Sequence, residues 1–146
     1  MDERVLEWLR VNRGKVFASP RNEVFKEQTR DFELLDIVDD RVKVHFVGSK
    51  YPALPLHFWM FDRTLKYIQE NKDRAVRLGA KVVPPYESDT VEGQIWKEPY
   101  PTGNTSYKAG PHVCDILVLA GLVEYVLILN PETYRKVQGV KLLNVK

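Results

Sequence analysis

Apolar and polar positions alternate most legibly in the last third of the chain. Between Ser106 and Leu143, Val113, Ile116, Leu117 and Ala120 recur at the three- and four-residue spacing of a helix face. Gly121 follows where a helix stop needs positive φ, and Leu122 is placed to fold back onto Leu117. "LVEYVLIL" then reads as a strand, "NPETYRKVQG" as a polar turn and "VKLL" as a return strand. Gly110-Pro111 lies just ahead of the apolar stripe, and proline is comfortable only in a first turn. "SYKAGPHVCDILVLAG" thus reads as the helix with its stop, with a regular start only at Pro111, and "TGNTSYKAG" as a loop, left open as the alternative.

The same reading places further elements upstream. Val5, Leu6, Trp8 and Leu9 make an amphipathic helix from Asp2 to about Arg13, stopped by Gly14. Pro20 argues against a central strand in "KVFASPRNEVFKEQTR". "FELLDIVDDRVKVHFVG" reads as a β-hairpin turning at Asp39-Asp40, with Val42, Val44 and Phe46 alternating against Arg41, Lys43 and His45. Two prolines make "SKYPALPL" a loop. A helix is expected from about Leu56 to Asn71, its stripe formed by Phe58, Phe61, Leu65 and Ile68. Trp59 and His57 fall off that stripe, free for a dimer or inter-subdomain contact. "SDTVEGQIWKE" predicts a short helix with Asp89 as N-cap and Glu92 closing a capping box. "PYPTGN" is the turn into the last helix. The division expected is a helix plus hairpin over 1–55 and a helical unit with its hairpin over 56–146, sharing one compact body.

Composition narrows the function classes. Hydrophobic residues make up 44% of the 146, enough for a proper core, and the net charge is +2. A nucleic-acid partner would therefore depend on charge segregation and not on total charge. Arg10, Arg13, Lys15, Arg21, Lys26 and Arg30 cluster in sequence, followed by Asp31, Glu33, Asp36, Asp39 and Asp40. One consistent picture has the basic run extending a DNA surface while the acidic hairpin faces away. Cys114 is the single cysteine, so an internal disulfide is impossible and a thiolate zinc site is ruled out. That suits a reducing, cytoplasmic setting. "MDERVLEWLR" lacks an apolar signal core, and no apolar run reaches the length of a membrane span.

Three helices in the order long, short, long, followed by a hairpin, resemble the winged helix-turn-helix superfamily over roughly residues 56 to 146. The resemblance implies an α+β fold: a three-helix winged helix with a C-terminal hairpin wing, preceded by a helix and a β-hairpin. It implies double-stranded DNA as partner, with the third helix at the major groove and the wing and basic arm on phosphates. Ser106, Tyr107, Lys108 and His112 would then face the groove, and Tyr134, Arg135, Lys136 and Lys141 would be wing contacts. The amides at the helix N-terminus would be open to phosphate.

Catalytic patterns are weak, and no cofactor is expected. A restriction-type nuclease wants an acid two residues before its lysine; "RVKVHF" has Arg41 before Lys43. His45, His57 and His112 lack metal-ligand spacing, and no glycine loop cradles phosphate. The expectation is a non-catalytic DNA-binding regulator or targeting module, with a homodimer in view. Two alternatives stay open: a winged-helix protein-interaction adaptor, or the recognition domain of a restriction or modification system with an aromatic pocket for a modified base.

Overall fold

The computed structural model describes residues 1–101 and 106–143. Of the expected turn at 99–104, residues 102–104 lie outside them. The described residues form an α+β fold with five helices and two antiparallel sheets. In chain order these are α1 (Glu3–Val11), β1 (Val16–Phe17), α2 (Pro20–Val24), β2 (Phe32–Val38), β3 (Arg41–Phe46), β4 (Leu54–His57), α3 (Phe58–Glu70), β5 (Val76–Arg77), α4 (Val91–Trp96), α5 (Gly110–Leu119), β6 (Val123–Leu129) and β7 (Lys136–Leu142).

The first sheet has the order β1-β2-β3-β4. Its central hairpin turns at Asp39, whose φ of 55° is one that aspartate tolerates. Phe32, Leu34, Val42 and Val44 point into the core, as the alternation requires. The pairing of β2 with β3 slips between Leu34 and Ile37. The expected loop before α3 is partly a strand: Leu54–His57 pairs with β3, and α3 begins at Phe58 rather than Leu56. Pro55 is tolerated there because β4 is the sheet edge, where a missing N–H breaks no ladder. Pro20 sits in the first turn of α2 behind the N-cap Ser19, a position where its fixed φ helps the helix.

The second sheet has the order β5-β7-β6, and its strands interleave with helices in the chain order α3-β5-α4-α5-β6-β7. Helix α5 stops as its sequence predicts. Gly121 has φ 78°, Leu122 N–H donates to the Leu117 carbonyl at 3.0 Å, and Gly121 N–H donates to Val118 at 3.0 Å. Those two bonds are the paired closure of a Schellman stop. The return strand begins at Lys136, four residues earlier than "VKLL" suggests. Gly139 permits this: a Cβ there would lie 3.0 Å from Ile128 Cδ1, so the bare backbone leaves room for the isoleucine.

One hydrophobic core spans the sequence boundary at 55/56. It joins Val5 and Leu9 of α1, the inner faces of β2 and β3, the α3 stripe, and Val113, Ile116, Leu117, Tyr125 and Val140. Each large apolar side chain buried in it contributes roughly 1.5–3 kcal/mol. The two halves are thus one packing unit. Among the described residues, no helix is long and apolar enough to cross a membrane.

Candidate interaction surface around the C-terminal hairpin

Helix α5 is the element expected to face a partner, and it is enclosed. Seven of its ten residues are buried, including Gly110, Pro111 and Asp115. Three separate contacts close it in.

The first is Glu92. The N-cap of α4 is Thr90, whose Oγ1 accepts from Gly93 N–H at 3.0 Å, in place of the expected Asp89. Glu92 is consequently released from any capping box and reaches across to α5. Its carboxylate accepts from Ala109 N–H at 3.2 Å, from Gly110 N–H at 3.0 and 3.2 Å, and from Trp96 Nε1 at 3.2 Å. The amides expected to be open to phosphate are therefore occupied by an internal carboxyl group. Gly110 is required by this approach, since a Cβ there would stand 3.3 Å from Glu92 Oε1. Burial pushes the Glu92 carboxyl up to about 7, against the opposing pull of its three donors and of Lys108.

The second is a buried polar network from α2. Arg21 Nε and Nη2 donate to Asp115 at 3.0 and 3.1 Å, Ser19 Oγ donates at 2.8 Å, and Tyr125 OH donates at 2.5 Å. Burial works against the Arg21 charge, but Asp115 more than offsets it and raises the guanidinium's pKa above its ordinary value. Arg21 is thus removed from the basic arm in which its sequence position placed it. The remaining segregation also dissolves in space. Arg13 pairs with Asp36 at 3.5 Å, and Arg10 and Arg13 line a cleft together with Asp36 and Asp39. Arg10 and Arg13 of the basic run thus face the acidic hairpin.

The third contact covers His112. Its half-buried ring packs on Phe46 with centroids 5.0 Å apart. Burial pushes its pKa down to about 4, with Arg21 and Lys108 adding to the shift and Asp115 opposing it. Tyr107 also turns inward, donating its hydroxyl to the Pro55 carbonyl. Burial pushes that phenol up to about 12. Ser106 is half-buried at the start of this loop, and Lys108 alone of the four expected groove residues is exposed.

The hairpin is a different environment. Tyr134 is 79% exposed, with φ 56° at the tip of the turn; Arg135 and Lys136 beside it are exposed. Neither cation, nor Lys108, has an ion-pair partner among the described residues. Lys141 does, bonding to Glu124 across the strands at 3.2 Å. Beyond Tyr125 the inner face of β6 runs off the core, leaving Leu127 53% and Leu129 58% exposed. At the hairpin's base, Lys108, Arg77, Glu27, Glu87, Val137 and Gln138 line a cleft of about 370 Å³. Its charges are mixed: Gln138 donates to Glu27, and Arg77 is held by Asp89 at 2.5 Å. Between the hairpin and Glu27 of the N-terminal segment the cleft is therefore lined by both signs of charge.

The aromatics near 57 to 61 are internal. His57 is buried, Trp59 stacks on Tyr100 with centroids 5.9 Å apart, and Arg63 lies 5.1 Å over Trp59. Trp96 fills the remaining angle against Tyr100 and Tyr107. These rings pack on one another, where the modified-base reading looks for an open aromatic pocket. Cys114 is fully buried, and burial pushes its thiol up, leaving it unreactive. Among the described residues, no group of three or more His, Cys, Asp or Glu is arranged to hold a metal ion.

Comparison with known proteins adds no assignment: no family model matches the chain, and neither the curated proteins nor the solved structures hold a match. Leu127 and Leu129 were not among the expected contact residues. Nothing in the sequence singled them out: with Glu124 the one charged residue of "VEYVLIL", the two faces of the strand read alike.

Proposed function

We propose that residues 58–142 form a winged helix used as a rigid scaffold, and that the protein is a non-catalytic interaction module whose wing contacts a protein partner. What supports the winged-helix part is the chain order α3-β5-α4-α5-β6-β7 together with the sheet order β5-β7-β6. What carries the functional part is the enclosure of α5. A helix whose N-terminal amides are held by Glu92, and whose outer side is packed by Arg21, Ser19 and Phe46, has no face left for a major groove. The wing remains as the exposed element. Its exposed Tyr134 and Arg135 are of the residue types enriched at protein–protein hot spots, and Leu127 and Leu129 add exposed apolar area beside them.

The test compares wild type with a Tyr134→Ala/Arg135→Ala/Lys136→Ala variant in a quantitative cross-linking pull-down. Partners lost with the variant support the wing; an unchanged partner set removes it. A second reading, contact with duplex DNA through phosphates alone, is favoured by the unpaired Lys108, Arg135 and Lys136. Fluorescence anisotropy with a random duplex at two salt concentrations decides it. Binding that falls steeply with salt supports that reading, and no binding at low salt excludes it.

A further inference from the structure

Strand β6 has one edge unused. Asn130 N–H donates to Arg135 at 2.8 Å, and Leu143 N–H donates to Leu122 at 3.1 Å, so the even-numbered residues of β6 bond to β7. In an antiparallel ladder the odd-numbered residues then turn their N–H and C=O groups outward. Among the described residues, the backbone of Tyr125, Leu127 and Leu129 makes no hydrogen bond on that outer side. Of the devices that normally blunt an edge, β6 carries one charge, Glu124, and α2 packs beside it, with Phe25 on Tyr125. Its seven residues, "VEYVLIL", contain no lysine, proline or glycine, and the pairing with β7 runs without a bulge.

We propose that β6 pairs antiparallel with β6 of a second copy of this chain, centred on Leu127, joining two three-stranded sheets into one. The inference rests on the reading of the hairpin as the contact element, and names its partner. Three features fit a second copy. Pairing about Leu127 sets odd residues against odd, Tyr125 against Leu129, so outward donors meet outward acceptors on both strands. The strand is free of like-charge opposition, since Glu124 is its single charge. That Glu124 falls opposite Asn130 of the other copy, whose own cross-strand neighbour on β7 is Arg135, an unpaired cation. Leu127, exposed in one chain, then covers its counterpart across the symmetry axis, and the exposed Leu129 packs beside Tyr125 of the other copy.

Sedimentation equilibrium of the full chain over a range of micromolar concentrations tests this. Wild type is expected to shift from monomer to dimer mass as concentration rises. Leu127→Pro removes one outward N–H without touching a bond to β7, and is expected to stay monomeric with an unchanged circular dichroism spectrum. Leu127→Lys/Leu129→Lys provides the same loss of dimer without backbone strain. A monomeric wild type at every concentration, or a dimer that survives both variants, overturns the proposal. A monomeric wild type whose pull-down partners still depend on Tyr134, Arg135 and Lys136 overturns only the second copy. Partners indifferent to those three residues overturn the wing reading itself.

Discussion

Arg21 and Asp115 stand 94 residues apart in sequence and meet in a buried bidentate ion pair, at 3.0 and 3.1 Å. This pair fixes α2 against α5, and Ser19 and Tyr125 fill the remaining lone pairs of the carboxylate. A buried charge with every position satisfied tolerates the loss of both partners better than the loss of one. Asp115→Ala is therefore expected to destabilise by about 3–5 kcal/mol, because it leaves a buried guanidinium with only the longer 3.4 Å contact to Glu27. Arg21→Met with Asp115→Leu should recover much of that loss. Urea unfolding of the single and double variants checks the order; a double variant no better than Asp115→Ala would show that packing, and not charge, dominates there.

Two glycines separate sterics from backbone conformation. A Cβ on Gly93 would lie 1.9 Å from the Glu87 carbonyl oxygen, a clash with fixed backbone. Gly121 has open space around it but a φ of 78°. Gly93→Ala should lose about 3 kcal/mol or more, as severe overpacking does, while Gly121→Ala should lose about 1–2 kcal/mol through left-handed strain alone. Thermal melts of the two variants give the comparison.

Local features were legible in sequence because one or two neighbouring residues determine them. The Gly121 stop, the Asp39-Asp40 turn and the Pro111 helix start all belong to that class. Pro55 misled because proline excludes a central strand but not an edge, and edge status depends on topology. Glu92 misled because "DTVE" offers a local capping role that its side chain abandons for α5, which follows a loop well downstream. Asp115 gave no signal at all. An acid on an apolar helix reads as a surface residue until a distant arginine covers it. The candidate surface was half legible: the wing cations were evident as exposed charge, whereas enclosure of the third helix depends on α2 and β3, elements outside the winged-helix pattern.

Arg135→Ala/Lys136→Ala should leave folding stability within about 0.5 kcal/mol, because both side chains are exposed and unpaired. If the β6–β7 hairpin contacts a partner as proposed, the same change should weaken that association. Equilibrium unfolding and a binding titration on one preparation check the two halves together. A stability loss well above that range would give the wing tip a structural role.

Glu92 and His112 oppose each other in pH. Burial raises the Glu92 carboxyl from 4.5 to about 7, so the folded state retains a proton that the unfolded chain releases. Its contribution is full below pH 4.5 and is lost as pH rises toward 7. Burial lowers His112 from 6.5 to about 4, so the unfolded chain takes up a proton that the folded state refuses. Its contribution is full above pH 6.5 and is lost as pH falls toward 4. Between pH 4.5 and 6.5 each group changes stability by up to about 1.4 kcal/mol per pH unit, with opposite sign. Wild type should therefore vary less in this window than either variant. Glu92→Gln should become less stable as pH falls, since His112 then acts alone with the smaller, same-signed contribution of buried His57. His112→Gln should become less stable as pH rises. Denaturant unfolding at pH 4.5, 5.5 and 6.5 reads the slopes, and parallel curves for wild type and both variants would remove this coupling of α4 and α5 to pH.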